Sequence, residues 1–186
     1  MAILKILIDT NVYFRLAQSI HPLLRTSFGS PPNQLFITED LEKEFKSSSR
    51  LQLKFGWFTQ TEYVENRKGV LSLSNKQKKQ FKSDWDTVLG ISNQLGYVNL
   101  SKEDINGITY ALLLGVCLVT DDLGMRDVAE QLGVSVMSTL ELLKLMVDHS
   151  HVELKAAKSI AGYWSAMADS PSDLKEQFKK LFGEDF

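Results

Sequence analysis

The chain is poor in the residues that build cross-links and soft-metal sites. Its one cysteine, Cys117, excludes an intrachain disulfide and any multi-cysteine metal site. The apolar run GVCLV around it reads as a place for a small buried hydrophobe, not a nucleophile. The three histidines, His21, His149 and His151, show no ligand spacing, and the last two, two residues apart, would face different sides of a helix. Zinc chemistry is therefore not expected. No run approaches the ~18 consecutive apolar residues of a membrane span. The N-terminal apolar stretch, Ala2 to Ile8 with Lys5 inside it, is too short for a signal peptide. A cytoplasmic location without membrane attachment is the expectation.

A strong excess of one charge is also missing, since the net charge is −2. The total therefore gives no sign of a nucleic-acid partner. Its distribution says more. Residues 46 to 82 hold Lys46, Arg50, Lys54, Arg67, Lys68, Lys76, Lys78, Lys79 and Lys82 against only Glu62 and Glu65. Phe55, Trp57, Phe58, Tyr63 and Phe81 are interleaved and Trp85 follows, so the segment could track a phosphate backbone and stack bases. Arg50, Lys54, Arg67, Lys68, Lys78 and Lys79 are the candidate nucleic-acid contacts. The competing reading is a solvated helical face above core aromatics.

What the chain does have suits one domain with a real core: 186 residues, 44% hydrophobic and 24% charged. Ile3 to Ile8 reads as a buried strand of a parallel sheet, with a helix from about Val12 to Gln18. HPLLRTSFGSPPNQ, with three of the four prolines, reads as loop. QLFIT gives a second strand, and Thr38 can cap a helix over EDLEKEFKSSS. From Ser49 to Asn66 the pattern allows helix or strand, whereas NKQKKQFKSDWDTVLGISNQLG is helical with Gly96 as its stop.

The most ordered pattern follows. Ser101 opens a helix to Leu114 that Gly115 ends; VCLV is a strand; Asp121 or Asp122 opens a helix to Leu132 that Gly133 ends; VSVM is a last strand. Ser138 and Glu141 form a capping box for a helix to about His149. Strands alternating with helices predict a three-layer α/β/α sandwich around a mostly parallel sheet. Residues 1–148 would form that domain. Residues 149–186 add a helical extension, interrupted at Ser170–Pro171, whose last helix has Leu174, Phe178, Leu181 and Phe182 on one face to pack on the domain or on a partner.

Acids recur where strands end or helices begin: Asp9 in ILIDTNV, Glu44, Asp104, and Asp121 with Asp122. Each has a local explanation. Asp9 can cap a helix, Asp104 can complete a box with Ser101, and Asp121 or Asp122 can open the next helix. Capping, however, does not require convergence, and the crevice beyond the carboxyl ends of parallel strands is where open α/β sheets build sites. Crowded carboxylates repel unless a cation neutralises them. Oxygen-only ligation suits Mg²⁺ or Mn²⁺, and one or two such ions suit phosphodiester hydrolysis.

With these motifs the chain resembles the PIN-domain nucleases, VapC-like ribonucleases among them. ILIDTNV with Asp9, ITEDLEKEF with Glu44, LSKEDINGITYALLLG with Asp104, and LVTDDLGMRDVAEQLGVSVMS with Asp122 match in order over roughly residues 1 to 147. The resemblance implies an α/β/α sandwich and cleavage of single-stranded RNA with Mg²⁺ or Mn²⁺. It assigns Asp9, Glu44, Asp104 and Asp122 to the metal, with Asn11 and Thr120 in support. Asp121 stands where the family varies, so either it or Asp122 would face the metal. Many small members are toxins that pair with an antitoxin protein and form homodimers; the longer middle and tail here depart from a minimal toxin. The alternatives are a PIN-like RNA- or protein-binding module with little catalysis, and a haloacid-dehalogenase-like phosphatase, which would need an aspartate where Asn11 stands.

Overall fold

The computed structural model describes residues 3–167 and 173–186. The expected break at Ser170–Pro171, and Ala2 at the head of the first apolar stretch, lie outside the described residues. The fold is a three-layer α/β/α sandwich on a five-stranded sheet. Strands β1 (Leu4–Ile8), β3 (Asn33–Phe36), β4 (Cys117–Val119) and β5 (Val136–Met137) run parallel, and β2 (Ser27–Phe28) pairs antiparallel with β3. The order β2-β3-β1-β4-β5 makes β1 central.

Alternation along the central strands divides the core in two. Ile6 and Ile8 of β1 and Val119 of β4 enter one apolar cluster with Leu35, whereas Leu7 and Leu118 enter the other. Both faces are covered, which is why these strands read as unbroken aliphatic runs. The first cluster is roofed by α1 (Thr10–Leu16), α2 (Asp40–Ser47) and α8 (Thr139–Asp148), and the second by α5 (Asn75–Gln94), α6 (Lys102–Leu114) and α7 (Leu123–Gln131). Helices α9 (Leu154–Ala166) and α10 (Leu174–Phe182) bury Trp164 and Phe178 in the first cluster, and Trp164 Nε1 donates to the Arg15 carbonyl at 3.2 Å.

Two expectations need correction and one open reading is decided. The proline-rich loop contains β2, because residues 27 and 28 pair with Asn33 and Gln34 across a turn. The ambiguous segment is helical throughout: α3 (Ser49–Lys54), a 3₁₀ turn (Gly56–Thr59) and α4 (Thr61–Asn66). Its aromatics lock onto earlier helices, Phe55 stacking on Phe14 at 4.4 Å and Phe58 on Phe45 at 4.0 Å. The second correction concerns the histidines, for α8 ends at Asp148, and His149 and His151 lie past it with their rings 6.4 and 4.9 Å from Phe28. They pack together around one ring instead of facing different sides of a helix.

Side-chain caps open α1, α3, α5, α6, α7 and α8. Ser101 and Asp104 exchange bonds at the start of α6, Ser101 N–H donating to Asp104 Oδ2 at 2.7 Å and Asp104 N–H to Ser101 Oγ at 3.0 Å. Gly115 ends α6 at φ 60°, a left-handed turn that a glycine adopts without Cβ strain. Replacing Ser101 with alanine is expected to cost about 1 kcal/mol, seen as a lower urea midpoint.

Candidate active site

The chain turns from β1 to β3 on one side and later passes to β4 and β5 on the other. The sheet therefore has a topological switch point between β1 and β4, where crevices open beyond the strand ends. Asp9 stands there, its N–H donating to the Val119 carbonyl at 3.0 Å, and Asp121 and Asp122 follow β4 on the adjacent strand end. Glu44 reaches the same region from α2 and Asp104 from α6.

Local structure uses one oxygen of each of four acids. Asp9 Oδ1 accepts from Thr10 N–H at 2.7 Å and caps α1; Glu44 Oε2 accepts from the Thr10 hydroxyl; Asp104 Oδ2 serves the capping box; Asp122 Oδ1 accepts from Met125 N–H at 2.8 Å and caps α7. The other oxygen of each makes no hydrogen bond among the described residues. Capping and convergence thus coexist. Asp121 differs, because Thr139 N–H donates to its Oδ1 at 2.9 Å while Arg15 and the Thr139 hydroxyl take its Oδ2. Of the two neighbours, Asp122 is the one with a free oxygen.

The charges act on one another. Burial first, then the charges of Asp104 and Glu44, push Asp9 up to about 7 despite the Thr10 N–H. Glu44 is raised by burial and by the charges of Asp104, Glu103 and Asp40, and Asp104 by burial and by Asp122 and Glu103. Arg15 answers Asp121 and Lys43 answers Asp40 at 3.1 Å, whereas Asp9, Glu44, Asp104 and Asp122 have no ion pair among the described residues. A cavity of about 20 Å³, room for roughly one water or ion, is bordered by Asp9, Thr38, Asp40, Glu44 and Glu103. The donor set fits a hard divalent cation: all oxygen, acidic, with one uncommitted oxygen on each side chain. Among the described residues no three His, Cys, Asp or Glu side chains already stand in metal-holding geometry, so ligation would draw these carboxylates inward.

Thr120 is buried, and its hydroxyl accepts from Asp122 N–H at 3.2 Å, steadying the turn that carries the carboxylate. Asn11 is exposed on α1 and lines a groove of about 400 Å³ with Glu44, Arg50, Lys54, Phe55 and Glu103. Lys78 borders a different recess, Lys68 pairs with Glu65, and Lys79 is exposed on α5.

Arg67 is no nucleic-acid contact. It is 5% exposed, binds Glu42 and the Phe58 carbonyl, each at 2.9 Å, and lies 3.4 Å over the Phe58 ring. Trp57, Phe58 and Tyr63 are likewise core and unavailable for base stacking. Burial of this kind is set by tertiary packing, which a basic, aromatic-rich segment does not reveal.

The sequence reading missed Asp40, Glu103 and Arg15. Asp40 and Glu44 are one helical turn apart, and Glu103 adjoins Asp104, so helical spacing contained the signal for both. Arg15 had no comparable signal. Burial pushes the Cys117 thiol up to about 11, which disfavours the thiolate form.

No family model matches the chain. Over 47 residues, however, it is similar to a ribonuclease. That relative is the RNA-free ribonuclease P of Aeropyrum pernix, 43% identical over a stretch that makes up 25% of this chain and 22% of the relative. The chain thus spans about a fifth of the relative's length, and the likeness supports a nuclease-like relationship. No helix among the described residues is long and apolar enough to cross a membrane.

Proposed function

We propose that the chain is a metal-dependent endoribonuclease that hydrolyses phosphodiester bonds in single-stranded RNA. The observation that supports this reading is the crowding of Asp9, Glu44 and Asp104, with Asp122 acting on Asp104, near the β1/β4 switch point, their charges raising one another and without a cation partner among the described residues. A binding scaffold gains nothing from that arrangement, which destabilises the fold until a cation enters. The partial likeness to a ribonuclease favours RNA as the substrate.

In this reading the four carboxylates hold one or two Mg²⁺ or Mn²⁺ ions. When bound, such ions lower the pKa of an attacking water and stabilise the leaving oxygen of an in-line displacement. The chain's own residues bind and orient. Asp9, with its pKa near neutrality, gives up its proton as a cation enters. Thr10 fixes Asp9 through its N–H and Glu44 through its hydroxyl, and Thr120 holds the Asp122 turn. Arg50, Lys54 and Asn11 line the groove that would receive the strand. Asp121 is a positioning residue that ties α1 to α8. Residues 1–148 would be the nuclease unit and residues 149–186 its extension, whose helices α9 and α10 pack on the first core cluster.

The test is cleavage of a labelled single-stranded RNA at neutral pH. Internal cuts are expected with Mg²⁺ or Mn²⁺, and none with EDTA or Ca²⁺ alone. Absence of cleavage with either ion across pH 6 to 9, from folded protein, would end the nuclease reading.

A further inference from the structure

Beside the acidic crevice lies a second recess of about 260 Å³ between α2, α5 and α6. Asp40 is common to both, bordering the crevice cavity and this recess. The recess has a polar floor, an aromatic wall and a charged rim on which Lys43 also pairs with Glu39 at 3.1 Å. On the floor, Asp40 is 6% and Asn106 9% exposed, with Asn106 Nδ2 donating to Asp40 Oδ2 at 3.0 Å. The wall is a half-buried pair, Phe81 and Tyr110, with centroids 5.3 Å apart at 64°. At the rim, Lys43 binds Asp40 Oδ1 at 3.1 Å and Lys78 is exposed with no ion pair among the described residues.

This is the composition of a small-ligand site: apolar faces with a few convergent polar groups. An aromatic wall stacks any base, but the floor is selective. The Asp40 carboxylate only accepts hydrogen bonds, so it favours a base edge that presents an amino group. Uracil, with a carbonyl oxygen at that edge, has no hydrogen there to offer the carboxylate. Lys78 can reach the strand's phosphates or a base carbonyl.

We propose that this recess is a subsite for one unpaired nucleobase carrying an exocyclic amino group, seated next to the phosphodiester held at the acidic crevice. The proposal rests on the nuclease reading for its choice of ligand, and it supplies that reaction with a base preference. Asp40 is the specificity-determining group and Phe81 with Tyr110 the stacking surface.

The experiment is equilibrium binding of short fluorescent RNAs to the full chain in EDTA, where hydrolysis cannot contribute. An all-uridine strand is compared with the same strand carrying one central cytidine or adenosine. Wild type is expected to bind the substituted strands about tenfold more tightly. Asp40→Asn should erase that preference, since an amide accepts from one base and donates to another, and Phe81→Ala should weaken binding of every strand about tenfold. Circular dichroism of each variant separates these effects from misfolding, and Lys78→Ala, on an exposed helical position, provides a further variant that should weaken the substituted and unsubstituted strands alike. Equal wild-type affinity for all strands, or unchanged affinity in folded Phe81→Ala, overturns the proposal. Cleavage without any base preference would remove the subsite and leave the nuclease reading intact. Base-selective binding without metal-dependent cleavage would do the reverse.

Discussion

Replacing Asp9 with asparagine is expected to lower RNA cleavage about a thousandfold while making the metal-free protein more stable above neutral pH. In the proposed nuclease the loss of rate follows from removing one metal-binding carboxylate and its charge. The gain in stability follows from the carboxyl's environment. Burial and the charges of Asp104 and Glu44 raise Asp9 from an ordinary 3.8 to about 7. Between those two pH values the folded chain holds a proton that the unfolded chain has released. Stability therefore falls as pH rises through this window, and the cost is complete above about pH 7.

The full difference corresponds to at most about 4 kcal/mol, and solvent access at a half-buried carboxyl reduces it to about 2 kcal/mol. Asparagine keeps an oxygen to accept from Thr10 N–H and has no charge to desolvate. Urea denaturation in EDTA should show the variant more stable than wild type by about 2 kcal/mol at pH 8, with little difference near pH 4. Adding Mn²⁺ should stabilise wild type and leave the variant nearly unmoved. Equal stabilities at pH 8 would mean that the carboxylates do not strain the apo fold.

The second large effect is expected at Arg67. Alanine there removes a guanidinium that serves Glu42 and the Phe58 carbonyl and approaches the Tyr13 hydroxyl at 3.3 Å. It leaves a buried hydroxyl and carbonyl short of partners and a gap against the Phe58 ring, at a cost of about 3–5 kcal/mol. Lysine should recover little, because a point charge cannot replace a planar fork stacked on an aromatic face. Arg50→Ala is the control, with stability expected to move by less than about 0.5 kcal/mol and RNA affinity to fall. The measurement is the urea midpoint of each variant beside its affinity for single-stranded RNA. Were Arg67→Ala to weaken RNA binding with stability intact, the structural role assigned to Arg67 would fail.

How much of this could be read in the chain depends on the range of the interactions involved. The boxes at Ser101/Asp104 and Ser138/Glu141 are three-residue affairs, so α6 and α8 were legible residue by residue. The three-layer fold followed from the same local alternation of strands and helices. The segment from Ser49 to Asn66 was not legible, because its helices are stabilised by rings stacked on Phe14 and Phe45 far away in sequence. The candidate carboxylates stood out because element ends are visible in sequence. Asp40 did not, since it looks like any acid in a helical first turn until Asn106, 66 residues on, is found against it.

The bond from Trp164 to the Arg15 carbonyl bears on the order in which the molecule can assemble. It joins residues 149 apart in sequence, and closing so long a loop is slow. Arg15 in turn grips Asp121 beside the β4 carboxylates. During synthesis the sheet and its acids can gather while α9 is still unmade, but the brace behind α1 cannot. A nascent chain would thus hold its acidic residues before α9 is there to brace the helix that carries Arg15.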